Sequence, residues 1–275
     1  MKHFNFMGRS DGLGNRIEEI ILLEAICAKE KNITVDYIWN NQHIHRSYNI
    51  LLSSKNVSIL QHPQDSVVFC KLQDFPDSLS QSELLAAASN IKPRFNIAFD
   101  KQIKPVGVHI RGTDRIGKNH PHYMKNNKEL NEYLSKTIEL INHAKPEYVF
   151  ICADDVKVKN EFIKHLNREI VIVEPICDKS IPLEYRDFFA LTLCSKIYMC
   201  SRFSTFSIIA SLIGNIPLVS YVYDETVLQR YKALFEYELD FNNIRCINIV
   251  RDNQIGTLIK KLKLKMKDIF QKCTV

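Results

Sequence analysis

The sequence predicts an α/β fold built from parallel sheets. Short apolar segments of strand length alternate along the chain with longer segments that carry apolar residues at helical spacing. The 275 residues, 45% hydrophobic and 25% charged, match a soluble globular protein and leave room for two domains. No apolar run approaches the ~20 residues of a membrane span. Strands that alternate with helices are joined by right-handed crossovers, so we expect the sheets to be parallel.

The first part of the chain predicts a strand, a glycine-rich loop and a helix, followed by shorter elements. Strands are predicted at residues 3–7, 34–39, 57–60 and 67–70. Helices are predicted at residues 16–30, 43–54 and 82–89, with the glycine-rich loop at 8–15. Residues 90–105 hold two prolines and no clear period, which indicates a boundary. We therefore expect an N-terminal Rossmann-like domain at 1–100, a C-terminal domain at 101–252 and a basic amphipathic helix at 253–275.

The second part predicts a longer alternation of the same kind. Strands are predicted at residues 106–110, 148–152, 170–173, 197–200, 218–222 and 244–250. Helices are predicted at residues 127–143, 157–166, 184–195, 204–213, 225–235 and 257–270. In the first of these strands Val106, Val108 and Ile110 alternate with small or polar residues, which is typical of a buried strand.

The loop after that strand is the first candidate site. It carries His109, Arg111, Asp114 and Arg115 within seven positions. Ligands of open α/β sheets gather at the carboxyl ends of the strands. Arginine suits phosphate because its planar group donates two parallel hydrogen bonds and stays charged. The loop therefore favours an anion site, and an ordinary polar loop with one ion pair is the alternative.

The glycine-rich loop is the second candidate site. Gly12, Gly14 and Asn15 immediately precede the first predicted helix. Glycines let a ligand approach the backbone, and a helix N-terminus favours an anion. The spacing is not that of the dinucleotide-binding fingerprint, and a plain tight turn is the alternative.

The third candidate site combines an acid with a hydroxyl-rich loop. Asp187 lies near the start of a mostly apolar helix, and Ser204 and Thr205 join a strand to the next helix. Hydroxyls and free amides at such a junction suit a phosphate. Helix capping is the alternative for both Asp187 and Ser204. A further acidic pair, Asp154 and Asp155, is expected to cap a helix rather than to bind a metal.

Charge and cysteine usage restrict the partners and the compartment. The net charge of +6 suits an anionic substrate, and no zinc-finger or RNA-binding pattern is present, so we expect no nucleic-acid partner. None of the eight cysteines forms a CxxC pair, which favours buried free thiols in a reducing compartment. The N-terminus is unlike a signal peptide, so we expect a cytoplasmic protein. The basic helix at 257–270 either packs on a domain or contacts a membrane surface peripherally.

Taken together, the three candidate sites resemble a known family. Residues 12–16, residues 109–115, and Asp187 followed by 201–205 resemble the motifs of the α1,2/α1,6/protein O-fucosyltransferase superfamily. Their order and rough spacing match over about residues 8–215. The resemblance implies a GT-B-type arrangement of two Rossmann-like domains with a cleft between them. It also implies an inverting, metal-independent glycosyltransferase that moves L-fucose from GDP-fucose to a glycan or glycolipid hydroxyl.

The resemblance also implies roles for single residues. Arg111 would hold the β-phosphate of the donor, and His109 and Asp187 would contact guanine. Ser204 and Thr205 would bind phosphate. The remaining donor-binding residues would be Gly12, Gly14, Asn15, which faces the sugar-phosphate, and Arg115. The donor is a substrate, and neither a cofactor nor a metal is expected.

The sequence departs from the family pattern at three positions, one of which is Arg115, where the members often have lysine. Gly112 stands where many α1,6 members have a second arginine, and Asn119 stands where some members have the proposed catalytic base. Asp114, His120 and His122 are therefore the candidate bases, since imidazole titrates near neutral pH. The two histidines could instead form a surface turn or hold a metal. A different donor such as a UDP-sugar, as in a xylosyltransferase, and a non-catalytic glycan- or nucleotide-binding module are the alternative functions.

Overall fold

The computed structural model describes residues 2–40, 50–64, 67–72, 79–112, 116, 124, 126–222 and 244–248. The first part of the chain forms a parallel sheet with two helices. In order, its elements are β1 (Lys2–Met7), α1 (Leu13–Lys29), β2 (Ile33–Ile38), β3 (Leu52–Ser53), β4 (Val57–Leu60), β5 (Val68–Cys70), α2 (Gln81–Ser89), β6 (Lys92–Pro93) and β7 (Ile97–Ala98).

The second part of the chain forms a larger parallel sheet with four described helices. In order, its elements are β8 (Val106–Ile110), α3 (Asn127–Ala144), β9 (Tyr148–Ala153), α4 (Val156–Lys164), β10 (Val171–Ile172), β11 (Ile176–Cys177), α5 (Leu183–Thr192), β12 (Lys196–Cys200), α6 (Thr205–Gly214), β13 (Leu218–Val222) and β14 (Ile244–Asn248).

The N-terminal sheet places the glycine-rich loop at its centre. Its strand order is β4-β2-β1-β5, and all neighbouring strands are parallel. The Asn5 amide of β1 donates to the carbonyl oxygens of Gln64 and Val67, at 3.1 Å each, and so fixes β1 to the segment that enters β5. The loop that leaves the carboxyl end of the inner strand β1 leads directly into α1.

The C-terminal sheet has the strand order of a doubly wound nucleotide-binding fold. Its order is β10-β9-β8-β12-β13-β14, with every pair parallel. The strand β11 belongs to a separate two-stranded sheet. When the six strands of the C-terminal sheet are numbered from β8 in chain order, their order in the sheet is 3-2-1-4-5-6. From β8 the chain adds strands first toward one edge of the sheet, and from β12 it adds them toward the other edge. Ligands of such sheets bind in the crevice outside this switch point, between β8 and β12.

Helices cover both faces of the C-terminal sheet. On one face Val108 and Ile151 pack with residues of α3 and α4 in a separate core. On the other face Phe150 and Met199 pack with Phe188 of α5 and with the buried side of α6. On this second face, α6 packs against α1 and α2 of the N-terminal part of the chain.

A single hydrophobic core joins the two sheets. Ile17 and Ile20 of α1 belong to the same buried cluster as Phe188 and Ile209, and α1 and α2 both pack against α6. The segment between the sheets contributes one short antiparallel ladder to each half, β6 with β3 and β7 with β11. The division at residue 100 therefore stays a prediction.

Most predicted elements agree with the observed ones to within a few residues, with one error. The helix predicted at 43–54 is wrong where the structure describes it, because Leu52–Ser53 is a strand that pairs with Lys92–Pro93. A short apolar run does not distinguish a strand from a buried helix by period alone. The predicted helices at 225–235 and 257–270, and the segment 253–275, lie outside the described residues.

Two further expectations concern thiols and membranes. Six cysteines of the described residues are free thiols, namely Cys27, Cys70, Cys152, Cys177, Cys194 and Cys200, and all of these except Cys177 are buried. Within the described ranges, every helix is too short or too polar to cross a bilayer.

Candidate functional site

Three segments of the chain meet at the switch point of the C-terminal sheet. They are the end of β8, the start of α6 and the glycine-rich loop before α1. The His109 Nδ1 atom of β8 lies 2.6 Å from the Ser207 Oγ atom of α6. A Cβ atom added at Gly14 would lie only 2.6 Å from the backbone nitrogen of Phe206. The glycine-rich loop therefore touches the start of α6, and the three predicted sites share one location.

The start of α6 leaves polar groups available for an anion. Its first intrahelical bond runs from the Ile208 amide to the Ser204 carbonyl, at 3.2 Å, so the three preceding amides lack an acceptor inside the helix. Ser204 holds the N-cap position, as one interpretation predicted, but its side chain makes no capping bond. The Oγ atoms of Ser201 and Ser204 are buried and lack a hydrogen-bond partner among the described residues. Free amides and hydroxyls at a helix N-terminus are suited to bind phosphate.

His109 is buried and uncharged. Its ring packs on Phe206, with 4.8 Å between ring centroids, and its Nδ1 atom contacts Ser207. Burial, and then the nearby charge of Arg111, lower the pKa of His109 to about 3. The neutral imidazole connects β8 to the first turn of α6 through its Nδ1 atom. The predicted contact of His109 with guanine would therefore have to use the other ring nitrogen, Nε2.

Arg111 follows β8 directly. It is half-buried, and its charge reaches the imidazole of His109. The next amide, that of Gly112, donates to Asp154 Oδ1 at 3.1 Å. A Cβ atom at Gly112 would lie 2.8 Å from Leu130 Cδ2, so the end of that side chain of α3 would have to shift to accommodate it. Asp155 caps α4 through the Lys157 and Val158 amides, which confirms the expected capping role.

The glycine-rich loop is fixed by Asp11. Asp11 Oδ2 accepts a hydrogen bond from Asn15 Nδ2 at 2.7 Å, and the Asp11 carbonyl accepts one from Arg16 Nε at 2.8 Å. The buried Arg16 guanidinium lies 4.6 Å from the ring centroid of Trp39. A Cβ atom at Gly12 would meet no atom within 4 Å, so the loop is open on that side.

Two buried glutamates lie close to the loop, and one of them, Glu19, is hydrogen-bonded to it. Glu19 Oε2 accepts hydrogen bonds from the Arg9 amide at 2.9 Å and from the Tyr37 hydroxyl at 2.8 Å. Glu18 is 8% exposed, and burial raises its pKa to about 7, although the charge of Arg9 opposes this shift. The site therefore has a carboxyl group near its loop that titrates at neutral pH.

Asp187 is buried on α5 and belongs to an ionic network. Its Oδ1 atom accepts hydrogen bonds from Arg186 Nε and Nη2 at 3.1 and 3.0 Å. Arg186 also lies 3.7 Å from Glu174, which pairs with Lys159 at 2.8 Å. Burial raises the pKa of Asp187 to about 6. The charge of Asp187 also helps to raise the pKa of Cys152, so the two side chains lie close together. Cys152 of β9 is paired with His109 of β8, which places Asp187 near His109.

The loop before α6 is anchored on its far side. Arg202 Nε donates to Glu129 Oε1 at 2.9 Å, and both side chains are almost fully buried. This pair ties the hydroxyl-rich loop to the first turn of α3. Arg202 is thus committed to the protein interior rather than to the anion-binding side.

The structure brings most of the predicted residues together. Around the switch point it places Gly12, Gly14, Asn15, His109, Arg111, Ser204 and Thr205, with Asp187 on the neighbouring helix. The candidates Asp114, Arg115 and His120, together with Asn119 and His122, lie outside the described residues. Among the residues that are described, no group of three or more His, Cys, Asp or Glu side chains could hold a metal ion. Metal independence stays a prediction.

Sequence reasoning missed four contributors to the site. Ser207 and Phe206 fix His109, Asp11 fixes Asn15, and Glu18 is the buried acid behind the loop. The signal for Asp11 was its position beside the glycines, four residues before Asn15. Glu18 gave no signal, because an acid inside a predicted helix is normally exposed.

Comparison with known proteins places the fold. No family model and no curated protein matches the chain. Several solved structures are similar to the chain. The fucosyltransferase NodZ from Bradyrhizobium is 13% identical with a TM-score of 0.52, over 82% of this chain and 96% of that one. NodZ α1,6-fucosyltransferase soaked with GDP-fucose is 14% identical with a TM-score of 0.50, over 82% and 97%. POFUT1 in complex with GDP is 12% identical with a TM-score of 0.51, over 80% and 98%.

These likenesses define the class of fold. At 12–14% identity they establish architecture rather than activity. The chain has the α/β fold of these fucosyltransferases, with two parallel-sheet Rossmann-like units in a GT-B-type arrangement, and spans nearly their whole length. The predicted fold class is confirmed.

Proposed function

We propose that the chain is a glycosyltransferase that binds a nucleoside diphosphate sugar at the start of α6. The main support for this proposal is the start of α6, where the amides of Thr205, Phe206 and Ser207 have no acceptor inside the helix. They lie beside the buried Ser204 hydroxyl. The start of α6 lies at the switch point, where doubly wound sheets bind phosphates. Arg111 follows the adjacent strand and supplies a positive charge.

GDP-fucose is the proposed donor. Structural neighbours include NodZ soaked with GDP-fucose and POFUT1 in complex with GDP, which supports this choice. His109 and Asp187 are proposed to contact guanine. Asp187 Oδ1 is occupied by Arg186, so its second oxygen would accept from the N–H groups of the base.

The proposed reaction uses charge stabilisation in place of a metal. Departure of the nucleoside diphosphate places negative charge on the β-phosphate. Arg111 and the α6 amides would stabilise this charge, and preorganised donors of this type often supply the largest part of catalysis. An acceptor hydroxyl of a glycan would attack the anomeric carbon on the face opposite the phosphate, so the configuration would invert. The proposed base is Asp114 or His120, and the pKa near 3 makes His109 unsuited to that role.

A thermal shift series tests the proposal. The purified chain is heated with GDP, UDP, CDP and their sugars, with and without EDTA. Ligand that binds only the folded state stabilises it by about 2.7 kcal/mol at a hundred times Kd. A shift with GDP and GDP-fucose that is insensitive to EDTA is the expected result, followed by release of fucose detected by mass spectrometry.

Other results of the same series would redirect the proposal. A shift with UDP alone would keep the phosphate site and replace fucose with a UDP-linked sugar. A shift with GDP-fucose but no turnover, with water or with a panel of glycans, would indicate a non-catalytic binding module. Absence of any nucleotide shift would overturn the proposal.

A further inference from the structure

Asp11 determines which end of the Asn15 amide is available to a ligand. Asp11 Oδ2 lies 2.7 Å from Asn15 Nδ2. A carboxylate oxygen only accepts hydrogen bonds, so the nitrogen end of the amide must face Asp11. The assignment of the amide therefore follows from the chemistry of its partner. The carbonyl oxygen, Oδ1, is left pointing away from Asp11.

The same carboxylate is itself held in place. Arg9 Nη2 donates to Asp11 Oδ2 at 2.8 Å, and the Asp11 carbonyl accepts the Arg16 Nε bond at 2.8 Å. Arg16 is fully buried against Trp39, so the backbone of Asp11 is anchored in the core. The arrangement fixes Asn15 before any ligand arrives, and a preorganised group costs less free energy on binding.

We propose that Asp11 is a positioning residue that presents Asn15 Oδ1 as a hydrogen-bond acceptor for a hydroxyl group. A carbonyl oxygen attracts an O–H donor and repels a phosphate oxygen. Asn15 therefore binds a hydroxyl of the transferred sugar or of the attacking nucleophile, whereas the phosphates contact α6 and Arg111. This assignment rests on the proposed function and changes the expected role of Asn15, which the family resemblance gave as facing the sugar-phosphate.

The orientation of the Asn15 side-chain amide can be tested by a measurement that does not depend on enzymatic activity. The side-chain amide protons of Asn15 are followed by NMR, with the signal assigned by its loss in Asn15→Ala. We expect slow solvent exchange in the wild type, fast exchange in Asp11→Ala, and slow exchange in the control Arg168→Ala, at an exposed position outside the loop. Equal exchange in the wild type and Asp11→Ala would overturn the orientation, even if the chain binds no nucleotide.

The ligand chemistry is tested with GDP, GDP-fucose and water as the attacking nucleophile. Asp11→Ala and Asn15→Ala should each lower GDP-fucose hydrolysis about tenfold, and the double variant should fall no further, because Asp11 acts through Asn15. Affinity for GDP should stay within about twofold of the wild type. Arg168→Ala should hydrolyse the donor at the wild-type rate.

The same binding and hydrolysis measurements show whether the hydroxyl group belongs to the transferred sugar or to the attacking nucleophile. If the hydroxyl belongs to the donor sugar, Asp11→Ala weakens GDP-fucose binding relative to GDP. If it belongs to the nucleophile, binding of both is kept and only the rate falls. Equal weakening of GDP and GDP-fucose, additive losses in the double variant, or unchanged hydrolysis would each overturn the hydroxyl assignment. Failure of the wild type to bind any nucleotide would instead overturn the proposed function.

Discussion

Single side chains at the switch point divide into those that contact a ligand and those that hold others in place. The buried Ser204 hydroxyl lacks a hydrogen-bond partner among the described residues, whereas His109 holds the start of α6 through Ser207 and Phe206 and would contact guanine through its other ring nitrogen. The sequence predicted that these positions carry chemistry, but not which of the two roles each has. That difference depends on contacts between residues 98 positions apart, which local patterns do not encode.

Arg111 is the residue whose loss should cost most. We expect Arg111→Ala to lower the rate of sugar transfer or donor hydrolysis by about two orders of magnitude, because it removes a charge that acts on the leaving phosphate. The control is Arg168→Ala, at an exposed position remote from the switch point. Steady-state kinetics with GDP-fucose measure both variants, and near wild-type rates for Arg111→Ala would show that the loop after β8 is not the phosphate site.

Glu18 should make stability depend on pH. Its pKa is raised from 4.5 to about 7 in the folded protein, so between these values the folded state keeps a proton that the unfolded state has lost. Stability therefore falls as the pH rises through this window, and the loss is complete above about pH 7. Glu18→Gln should avoid the loss and gain about 2 kcal/mol at pH 8, with little gain below pH 5.

Urea unfolding at the two pH values measures this effect. The matched control is Glu139→Gln, since the Glu139 side chain is 70% exposed. The control should behave like the wild type at both pH values. A Glu18→Gln gain that is the same at both would show that the carboxyl is ionised throughout and that its burial is not the cause.

At the scale of elements, the contact between the starts of α1 and α6 is the decisive one. Gly14 touches the backbone of Phe206, whereas Gly12 faces open space. Backbone atoms cannot move aside as a flexible side chain can. The two helix N-termini can approach each other only because residue 14 has no side chain.

The two glycines therefore form a matched pair of variants. Gly14→Ala should force the helices apart, lower stability by about 1–3 kcal/mol and weaken nucleotide binding. Gly12→Ala, with a φ of −58° and an open position, should keep the wild-type melting temperature. Differential scanning fluorimetry with and without GDP measures both. Equal melting temperatures for the two variants would contradict the close contact.

Element prediction worked where periodicity was long and failed where it was short. The helix α3, with its apolar residues on one face, was predicted within one residue at its end, because the 3.6-residue period repeats over five turns. Leu52–Ser53 was predicted as helix because its pairing with Lys92–Pro93 joins segments about 40 residues apart. The motifs could be placed on loops, but their meeting at one point depends on the packing of α1 against α6.

At the scale of the whole molecule, the shared core should make the two sheets unfold together. Ile17 of α1 and Ile209 of α6 lie in the same buried cluster. We expect one thermal transition, with Trp39 fluorescence reporting the N-terminal sheet and hydrogen exchange of β9 reporting the C-terminal sheet at the same midpoint. GDP should shift both midpoints equally.

A core variant sharpens this expectation. Phe188→Ala removes a fully buried ring from α5 and should cost about 3–5 kcal/mol. If the core is continuous, the Trp39 transition moves with the β9 transition, although residue 188 is in the C-terminal part. Two separate midpoints, with the N-terminal one unchanged, would show that the sheets are independent domains.

The contact between Gly14 and Phe206 also sets an order of events during synthesis. The glycine-rich loop leaves the ribosome almost 200 residues before its partner helix. At about 5–20 residues per second, the apolar side of α1 that α6 later covers waits for roughly 10–40 seconds. The nascent chain thus carries an exposed hydrophobic helix during this interval, and we expect it to depend on a chaperone until α6 emerges.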